Sequence, residues 1–236
     1  MLNKEELNRY NRHIVLPGFG EDRQEKLKKT SVLVVGAGGL ASPLLIYLTS
    51  MGIGKIGIID DDKVSITNLQ RQILYNSNQL NESKVEKARE RLLAINPNVN
   101  IDIFHTRITL QNAFELATNY NIICDCSDNF ETRYVSNEIS KKLKIPFVFA
   151  SVRHYEGHVS VFNYKKGISY TDLFPEPPVI NEHDESEKGI LGIVPGVIGT
   201  LQACEVVKIA TGIGEVLDGK LLTYNTLNHK QHIISL

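Results

Sequence analysis

Glycines in one short segment of the chain have the spacing needed to bind a phosphorylated ligand. The segment GAGGLA at 36–41 follows the apolar run 31–35 directly and matches the pattern G-x-G-x-x-G/A. Its glycines, Gly36, Gly38 and Gly39, let the backbone turn tightly and approach a phosphate, and the helix start that follows supplies free N–H groups. The alternative is a glycine-rich turn that serves packing alone.

An acidic residue and two cations follow the glycine segment. Asp60 ends the second apolar run, where its carboxylate can accept hydrogen bonds from ribose hydroxyls. Arg71 and Lys84 could neutralise outer phosphates, which a cleaved triphosphate requires and which a dinucleotide held by backbone amides requires less. The cations therefore favour ATP over NAD, although each could instead be an ion-paired or solvated surface residue.

A further polar pair follows the apolar run 122–125. Asp128 can hold Mg²⁺ through its carboxylate oxygens, and Asn129 can cap the helix predicted from residue 130 while it faces the phosphates. The carboxyl ends of strands are where open α/β sheets bind ligands. The alternative is that Asp128 serves only as a capping acid at the start of that helix.

These groups must be brought to one edge of a sheet. From residue 31 onward, short β-branched runs alternate with amphipathic segments, which is typical of a doubly wound, mostly parallel α/β sheet of the Rossmann type. Strands are predicted at 31–35, 55–60, 100–105, 122–125 and 147–151. Helices are predicted at 40–50, 84–94, 112–117 and 130–143.

Other elements flank this repeat. Two charged helices at 3–11 and 21–29, joined by a turn at Pro17 and Gly18, form an N-terminal appendage. Antiparallel strands are predicted at 156–162, 221–224 and 231–234, the last two as a terminal hairpin. A long polar crossover occupies 163–188, and an apolar helix at 194–210 fits the core or a dimer interface. The single domain 1–236 thus has helices in 1–30, a nucleotide-binding half at 31–151 and a second half at 152–236.

Composition excludes several classes of protein. The chain has 236 residues and a formal net charge of -1, so no global basic field exists to attract nucleic acid or anionic lipid. Three cysteines cannot form a disulfide framework and fit a reducing compartment. No stretch approaches the ~20 apolar residues of a membrane span. We expect a cytoplasmic protein with no nucleic-acid or membrane partner.

Taken together, the motifs resemble the ThiF/MoeB/HesA family, prokaryotic relatives of ubiquitin-activating enzymes. The resemblance covers nearly the whole chain and rests on RYNRH at 9–13, the glycine turn, Asp60, NLQRQ at 68–72, Lys84, residues 125–129 with Arg133, LFPEPP at 173–178 and residues 192–199. It implies a homodimer that uses ATP to adenylate the C-terminal glycine of a ubiquitin-fold sulfur-carrier protein. The pathway would be thiamine or molybdopterin synthesis, and the half at 152–236 would bind the carrier.

The resemblance also implies roles for residues matched by motif. The glycines would approach the nucleotide, Asp60 would bind the ribose and Asp128 would bind Mg²⁺. The phosphates would be held by Asn68, Arg71, Gln72 and Lys84. Arg12 would reach the phosphates in the neighbouring subunit's site. Because a carboxylate already attacks an α-phosphate, catalysis would need alignment and charge neutralisation rather than a general base.

The chain departs from the family at its cysteines. Many members bind structural zinc through two C-x-x-C pairs, but Ser169 and Asp172 stand in place of the first pair, and no second pair occurs before Leu236. Since tetrahedral zinc needs four N or S donors, we expect no zinc site. Glu185 stands where some members carry a cysteine that is thought to link covalently to the carrier.

The sequence is also compatible with two functions of other classes. An NAD-dependent oxidoreductase could share the fold, but it would not explain Arg71, Lys84 or the long crossover. A catalytically silent scaffold that binds ATP or the carrier would fit the missing cysteines. The intact Arg12, Asn68 and Asp128, together with the two cations, argue against loss of turnover.

Overall fold

A computed structural model describes residues 1–177 and 189–236, which are organised around one eight-stranded sheet. The strand order across the sheet is β3-β2-β1-β4-β5-β6-β7-β8. The strands are β1 (Ser31–Val35), β2 (Lys55–Ile59), β3 (Asn100–Phe104), β4 (Ile122–Asp125), β5 (Phe147–Arg153), β6 (Glu156–Phe162), β7 (Lys220–Asn225) and β8 (Gln231–Ser235).

Helices cover the faces of this sheet, and three of them precede its first strand in the chain. They are α1 (Lys4–Arg9), α2 (Asn11–Ile14), α3 (Gly20–Lys29), α4 (Ala41–Met51), α5 (Lys84–Ile95), α6 (Ala113–Ala117), α7 (Phe130–Leu143), α8 (Tyr170–Leu173) and α9 (Ile193–Thr211). Two short 3₁₀ helices, Ile66–Asn68 and Ser77–Gln79, lie between β2 and α5.

The first five strands are parallel, and the last three continue the sheet antiparallel. Strand order reverses at β1, which has β2 on one side and β4 on the other, and the last residue of β1, Val35, is in register with both Ile59 and Asp125. The carboxyl ends of these three strands therefore meet at a topological switch point, where open α/β sheets bind ligands. The predicted mixed, mostly parallel sheet with an antiparallel C-terminal extension is confirmed.

The N-terminal appendage differs from the prediction of one helix over 3–11. The structure divides this segment into α1 and α2 at Tyr10, whose ring is buried and whose hydroxyl accepts a hydrogen bond from Asn96 Nδ2 at 2.9 Å. A Cβ on Gly52 would lie 2.4 Å from the same hydroxyl oxygen. Anchoring of this ring against distant residues accounts for the break, which no local sequence signal marks.

Helix α9 packs against β5, β6 and α4, as expected of a core helix. The expectation that no stretch approaches the length of a membrane span is wrong for this helix, because its 19 residues include an 18-residue window with a mean hydropathy of 1.5, enough by length and composition alone. Within the fold, 44% of that window is buried. A Cβ on Gly199 would lie 2.2 Å from the carbonyl oxygen of Leu40, and one on Gly39 would lie 3.2 Å from Pro195. Close approach of α9 thus supports the start of α4 and the glycine turn.

The predicted crossover 163–188 is only partly a polar loop. Tyr170 is buried, and its ring lies 5.3 Å from that of Phe149 and 4.9 Å from that of Phe174. The short helix α8 therefore contributes to the core, because the ring of Tyr170 packs on Phe149 of β5 and Phe162 of β6. Residues 178–188, which include the acidic end of the predicted loop, lie outside the described residues.

Candidate nucleotide-binding site

The glycine turn connects β1 to α4 at the switch point. Gly36 has a φ of +95°, in the left-handed region, and a Cβ there would lie 2.7 Å from the carbonyl oxygen of Cys126. Only glycine fits both the conformation and the space. The turn and the loop after β4, which carries Asp128, are thus held in direct contact.

Asp60 ties the turn to the end of β2. Its Oδ2 accepts the N–H of Ala37 at 2.7 Å, and its Oδ1 accepts the N–H of Asp62 at 2.8 Å. Burial raises the pKa of the Asp60 carboxyl, while the nearby Lys84 ammonium opposes that rise. The carboxylate is thus held beside the glycine turn, and its role toward a ribose stays a prediction.

Tyr75 is a part of the site that the sequence did not indicate. Its buried hydroxyl donates a hydrogen bond to the carbonyl oxygen of Ala37 at 2.7 Å. Burial and the carboxylates of Asp60 and Asp62 raise the pKa of Tyr75, so the hydroxyl remains a donor. Nothing in the local sequence distinguishes this tyrosine from a core residue, since its partner lies 38 positions away.

The NLQRQ segment places polar side chains against the glycine turn. The carbonyl oxygen of Asn68 accepts the N–H groups of Arg71 at 3.0 Å and of Gln72 at 2.9 Å, which winds the segment tightly. A Cβ on Gly38 would lie 3.5 Å from Gln72 Nε2, and one on Gly39 would lie 3.3 Å from Arg71 Cγ. Gln72 is buried, and its Oε1 has no hydrogen-bond partner among the described residues.

Lys84 begins helix α5 beside these groups. Its side chain is buried, and its Nζ lies 2.8 Å from Asp62 Oδ2. Asp60, Asp61 and Asp62 bring their carboxylates within 4.8 Å of one another, so negative charge is concentrated beside the cation. The alternative of a solvated helix lysine is wrong, because the ammonium is buried and ion-paired.

The loop after β4 separates the roles of Asp128 and Asn129. Asn129 caps helix α7, since its Oδ1 accepts the N–H of Thr132 at 2.9 Å. Asp128 is exposed, and within residues 1–177 and 189–236 its carboxylate makes no hydrogen bond or ion pair. The capping alternative for Asp128 is therefore wrong, and its oxygens are free to hold a cation.

A buried ion pair between Asp125 and Arg133 lies at the start of the loop that carries Asp128. Asp125 is fully buried, and its Oδ2 accepts from Arg133 Nε at 2.7 Å, while its Oδ1 accepts the N–H of Ser127 at 3.0 Å. Gln202 on α9 donates to the carbonyl oxygen of Asp125 at 2.8 Å. These contacts fix the strand end that presents Asp128, and the sequence indicated Arg133 only as part of a motif.

Arg12 is not brought to this cluster within one chain. It lies exposed on α2, and in the described ranges it makes no ion pair or hydrogen bond. The structure thus unites Gly36, Gly38, Gly39, Asp60, Asn68, Arg71, Gln72 and Lys84 with the loop of Asp128 and Asn129. The role of Arg12 toward a neighbouring subunit stays a prediction.

The residues that replace the first C-x-x-C pair have a structural role. Ser169 caps α8, and its N–H donates to Asp172 Oδ2 at 2.7 Å, which completes a capping box. Cys124 and Cys126 are buried, whereas Cys204 is exposed on α9. Glu185, the position matched to the family's loop cysteine, lies outside the described residues.

Comparison with known proteins agrees with this geometry. The sequence profile of the ThiF family matches residues 10–236, which is nearly the whole chain. The chain belongs to the ThiF family. The resemblance inferred from the motifs is therefore confirmed, and the mixed eight-stranded sheet is that of a ThiF-family member.

Several relatives of this ThiF-family chain carry names of enzymes. It is 44% identical to a probable molybdopterin-synthase adenylyltransferase of Porphyra purpurea, with 98% of this chain and 63% of that protein covered. It is 42% identical to a sulfur carrier protein adenylyltransferase of Thermus thermophilus, with 95% and 85% covered. It is 40% identical to the probable adenylyltransferase/sulfurtransferase MoeZ of Mycobacterium tuberculosis, with 100% and 61% covered. The chain thus spans less than two thirds of the first and third of these relatives.

Solved structures show the same fold at low identity. PaaA superposes with a TM-score of 0.86 at 23% identity, covering 99% of this chain and 74% of that one. MccB of E. coli, in a complex with ATP, superposes with a TM-score of 0.85 at 22% identity, covering 97% and 71%. These likenesses establish the architecture of the ThiF-family chain.

Proposed function

We propose that this ThiF-family chain is an ATP-dependent adenylyltransferase that activates the C-terminal glycine carboxylate of a ubiquitin-fold sulfur-carrier protein. The observation that carries the proposal is the contact of the glycine turn with Asp60, Arg71 and Gln72 at the switch point of the sheet, with the Lys84 ammonium close enough to act on the Asp60 carboxylate. The names of the relatives support the reaction and favour molybdopterin synthesis, with thiamine synthesis as the alternative.

The reaction requires little covalent help from the protein. The carrier carboxylate attacks the α-phosphorus of ATP, a new P–O bond forms, and the bond to the bridging oxygen breaks so that pyrophosphate leaves with the electron pair. The turn and Asp60 hold the nucleotide in place. Arg71 and Lys84 neutralise the charge that develops on the leaving pyrophosphate, which is the main requirement for such a transfer.

Asp128 fits a magnesium ion, because its exposed carboxylate has no other partner in the described part of the chain. When bound, Mg²⁺ would neutralise phosphate charge. The side chain of Asn129 caps α7, so only the backbone of Asn129 would face the phosphates.

We also propose that the active form is a homodimer in which Arg12 of one subunit reaches the site of the other. We propose further that this homodimer is cytoplasmic and binds no zinc.

The rival functions lack comparable support. An NAD-dependent oxidoreductase would leave Arg71, which packs against the glycine turn, and Lys84, which pairs with Asp62, without a role. A silent scaffold would have no need to keep an unpartnered Asp128 at the strand end.

The direct test mixes the protein with ATP, Mg²⁺ and each candidate carrier, and measures the carrier's intact mass for addition of AMP. We expect an adduct with a carrier ending in glycine and none with a matched carrier whose terminal glycine is deleted. Asp128→Asn should lower the rate on the order of 10²-fold if it holds the metal. Glu131→Gln, an equal charge change at an exposed position of α7, is the control. Absence of any adduct with every carrier would refute the proposal.

A further inference from the structure

Asp62 contacts the buried Lys84 through both its side chain and its backbone. Its Oδ2 lies 2.8 Å from Lys84 Nζ, and its carbonyl oxygen accepts the N–H of Lys84 at 3.1 Å. None of the roles described above uses this aspartate. Its contacts nevertheless determine both the backbone and the side-chain placement of Lys84.

Hydrogen bonds fix the segment on either side of the pair. Lys63 and Ser83 form an antiparallel bridge, and the N–H of Val64 donates to the carbonyl oxygen of Glu82 at 2.9 Å. The N–H of Asp62 donates to Asp60 Oδ1 at 2.8 Å. A continuous path of hydrogen bonds therefore joins the glycine turn, Asp60, Asp62 and Lys84.

The two charges of the pair have different surroundings. The Lys84 side chain is 4% exposed, whereas the Asp62 side chain is 67% exposed. A buried charge without a partner is strongly unfavourable, and across 1–177 and 189–236 Lys84 Nζ has no second hydrogen-bond acceptor. Among the described residues, the Asp62 carboxylate is therefore the hydrogen-bonding partner of the buried ammonium, and Asp60 attracts the same ammonium without a direct hydrogen bond.

We propose that Asp62 is a positioning residue for adenylation, which holds the Lys84 ammonium where it meets the phosphates of ATP. The proposal rests on the proposed function. A lysine ammonium on a flexible four-carbon stem neutralises developing charge well only when its position is fixed in advance. Asp62 acts through Lys84 and does not itself contact the nucleotide.

Kinetics of the purified protein with ATP, Mg²⁺ and carrier test this role. Asp62→Asn should lower kcat about 10- to 100-fold, with a smaller change in the KM for ATP, because the cation is misplaced rather than removed. Asp62→Glu restores a carboxylate and should recover part of the loss. Asp61→Asn is the matched control, since Asp61 is exposed and pairs with Arg107 at 3.5 Å, and its kcat should stay within about twofold of wild type.

A double-mutant cycle separates positioning from an independent effect. Added to Lys84→Met, Asp62→Asn should lower kcat by no more than about twofold, because the group through which it acts is already gone. Multiplicative losses in the cycle, or wild-type kcat in Asp62→Asn, would overturn the proposal.

A structural readout makes the test independent of carrier turnover. The Nζ resonance of Lys84, observed by lysine-selective ¹⁵N NMR and assigned through Lys84→Met, should shift or broaden in Asp62→Asn and not in Asp61→Asn. If the wild type adenylates no carrier, the proposed function fails while this measurement still reports on the pair. An unchanged Lys84 resonance in Asp62→Asn would refute positioning.

Discussion

At the scale of single residues, two of the three glycines in the turn between β1 and α4, Gly36 and Gly38, are glycine for different reasons. Gly36 has a φ of +95°, and a Cβ there would lie 2.7 Å from the carbonyl oxygen of Cys126, whereas a Cβ on Gly38 would make an ordinary 3.5 Å contact with Gln72 Nε2. Gly36 is therefore required by the backbone. Gly38 is required, on the proposed function, by the approach of a phosphate.

Substituting the two glycines should separate stability from binding. Gly36→Ala should lower the free energy of unfolding by about 1–3 kcal/mol or more, because strain and a close contact are both introduced. Gly38→Ala should keep the stability and lose affinity for ATP. Urea unfolding and calorimetry with ATP-Mg²⁺ measure the two quantities. Equal stability losses in both variants would contradict the distinction.

His158 gives a residue-scale prediction for pH dependence. Burial lowers the pKa of His158 below its ordinary value, Glu156 opposes this and Arg133 adds to it. The unfolded chain thus takes up the proton at a higher pH than the folded chain does. The stability that depends on neutral His158 is present above the ordinary pKa and is lost as pH falls from there toward the lowered value.

We therefore expect His158→Gln to reduce the loss of stability between about pH 7.5 and about pH 5.5. Urea unfolding at both pH values measures it. His232→Gln, at an exposed position on β8, is the control, because it removes an imidazole from the same sheet that is exposed rather than half-buried. A pH dependence in His158→Gln as steep as in wild type would show that another group is responsible.

At the scale of elements, α8 stands where the family's first zinc-binding pair is replaced. A capping box from Ser169 and Asp172 holds the helix, and Tyr170 inserts into the aromatic core. Hydrogen bonds and burial thus hold this helix in the described structure.

Ser169→Ala should consequently lower the free energy of unfolding by about 1 kcal/mol, the usual effect of losing an N-cap. The matched control is Ser235→Ala, an exposed serine on β8.

The absence of the cysteine pairs gives a separate prediction about zinc. Elemental analysis should find no stoichiometric zinc, and a strong chelator should leave Tm unchanged. One zinc per chain, or a fall in Tm with chelator, would contradict the expectation.

At the scale of the whole molecule, Arg12 is exposed on α2 and, in the described residues, has no contact with the nucleotide site of its own chain. An N-terminal appendage can reach a second subunit more readily than a residue in the sheet. A guanidinium supplied in trans would provide a rigid, permanently charged donor fork only in the assembled dimer.

Mixing two inactive variants tests this arrangement. If Arg12 acts in trans, a heterodimer of Arg12→Ala and Asp128→Ala has one intact site, so roughly a quarter of wild-type activity should return after subunit exchange in a statistical mixture. If Arg12 acts in cis, every site lacks one group. No recovery despite proven exchange would reject the shared site.

The sequence by itself determined the elements whose signals are local. The bounds of β1, β4, β6 and α7 agree with the predictions to the residue, because apolar runs, prolines and the Asn129 cap mark them within a few positions. The edge on which the glycine turn, Asp60 and Asp128 meet also followed, since consecutive parallel strands bring their carboxyl ends together.

Only the tertiary structure decided which side chains engage one another across those elements. The contacts of Tyr75 with Ala37, Lys84 with Asp62 and Tyr10 with Asn96 join residues 38, 22 and 86 positions apart. The same is true of α8, whose one aromatic residue, Tyr170, becomes part of the core only when β5 and β6 pack against it. Such contacts depend on strand register and helix packing, and neither local propensity nor hydrophobic period contains that information.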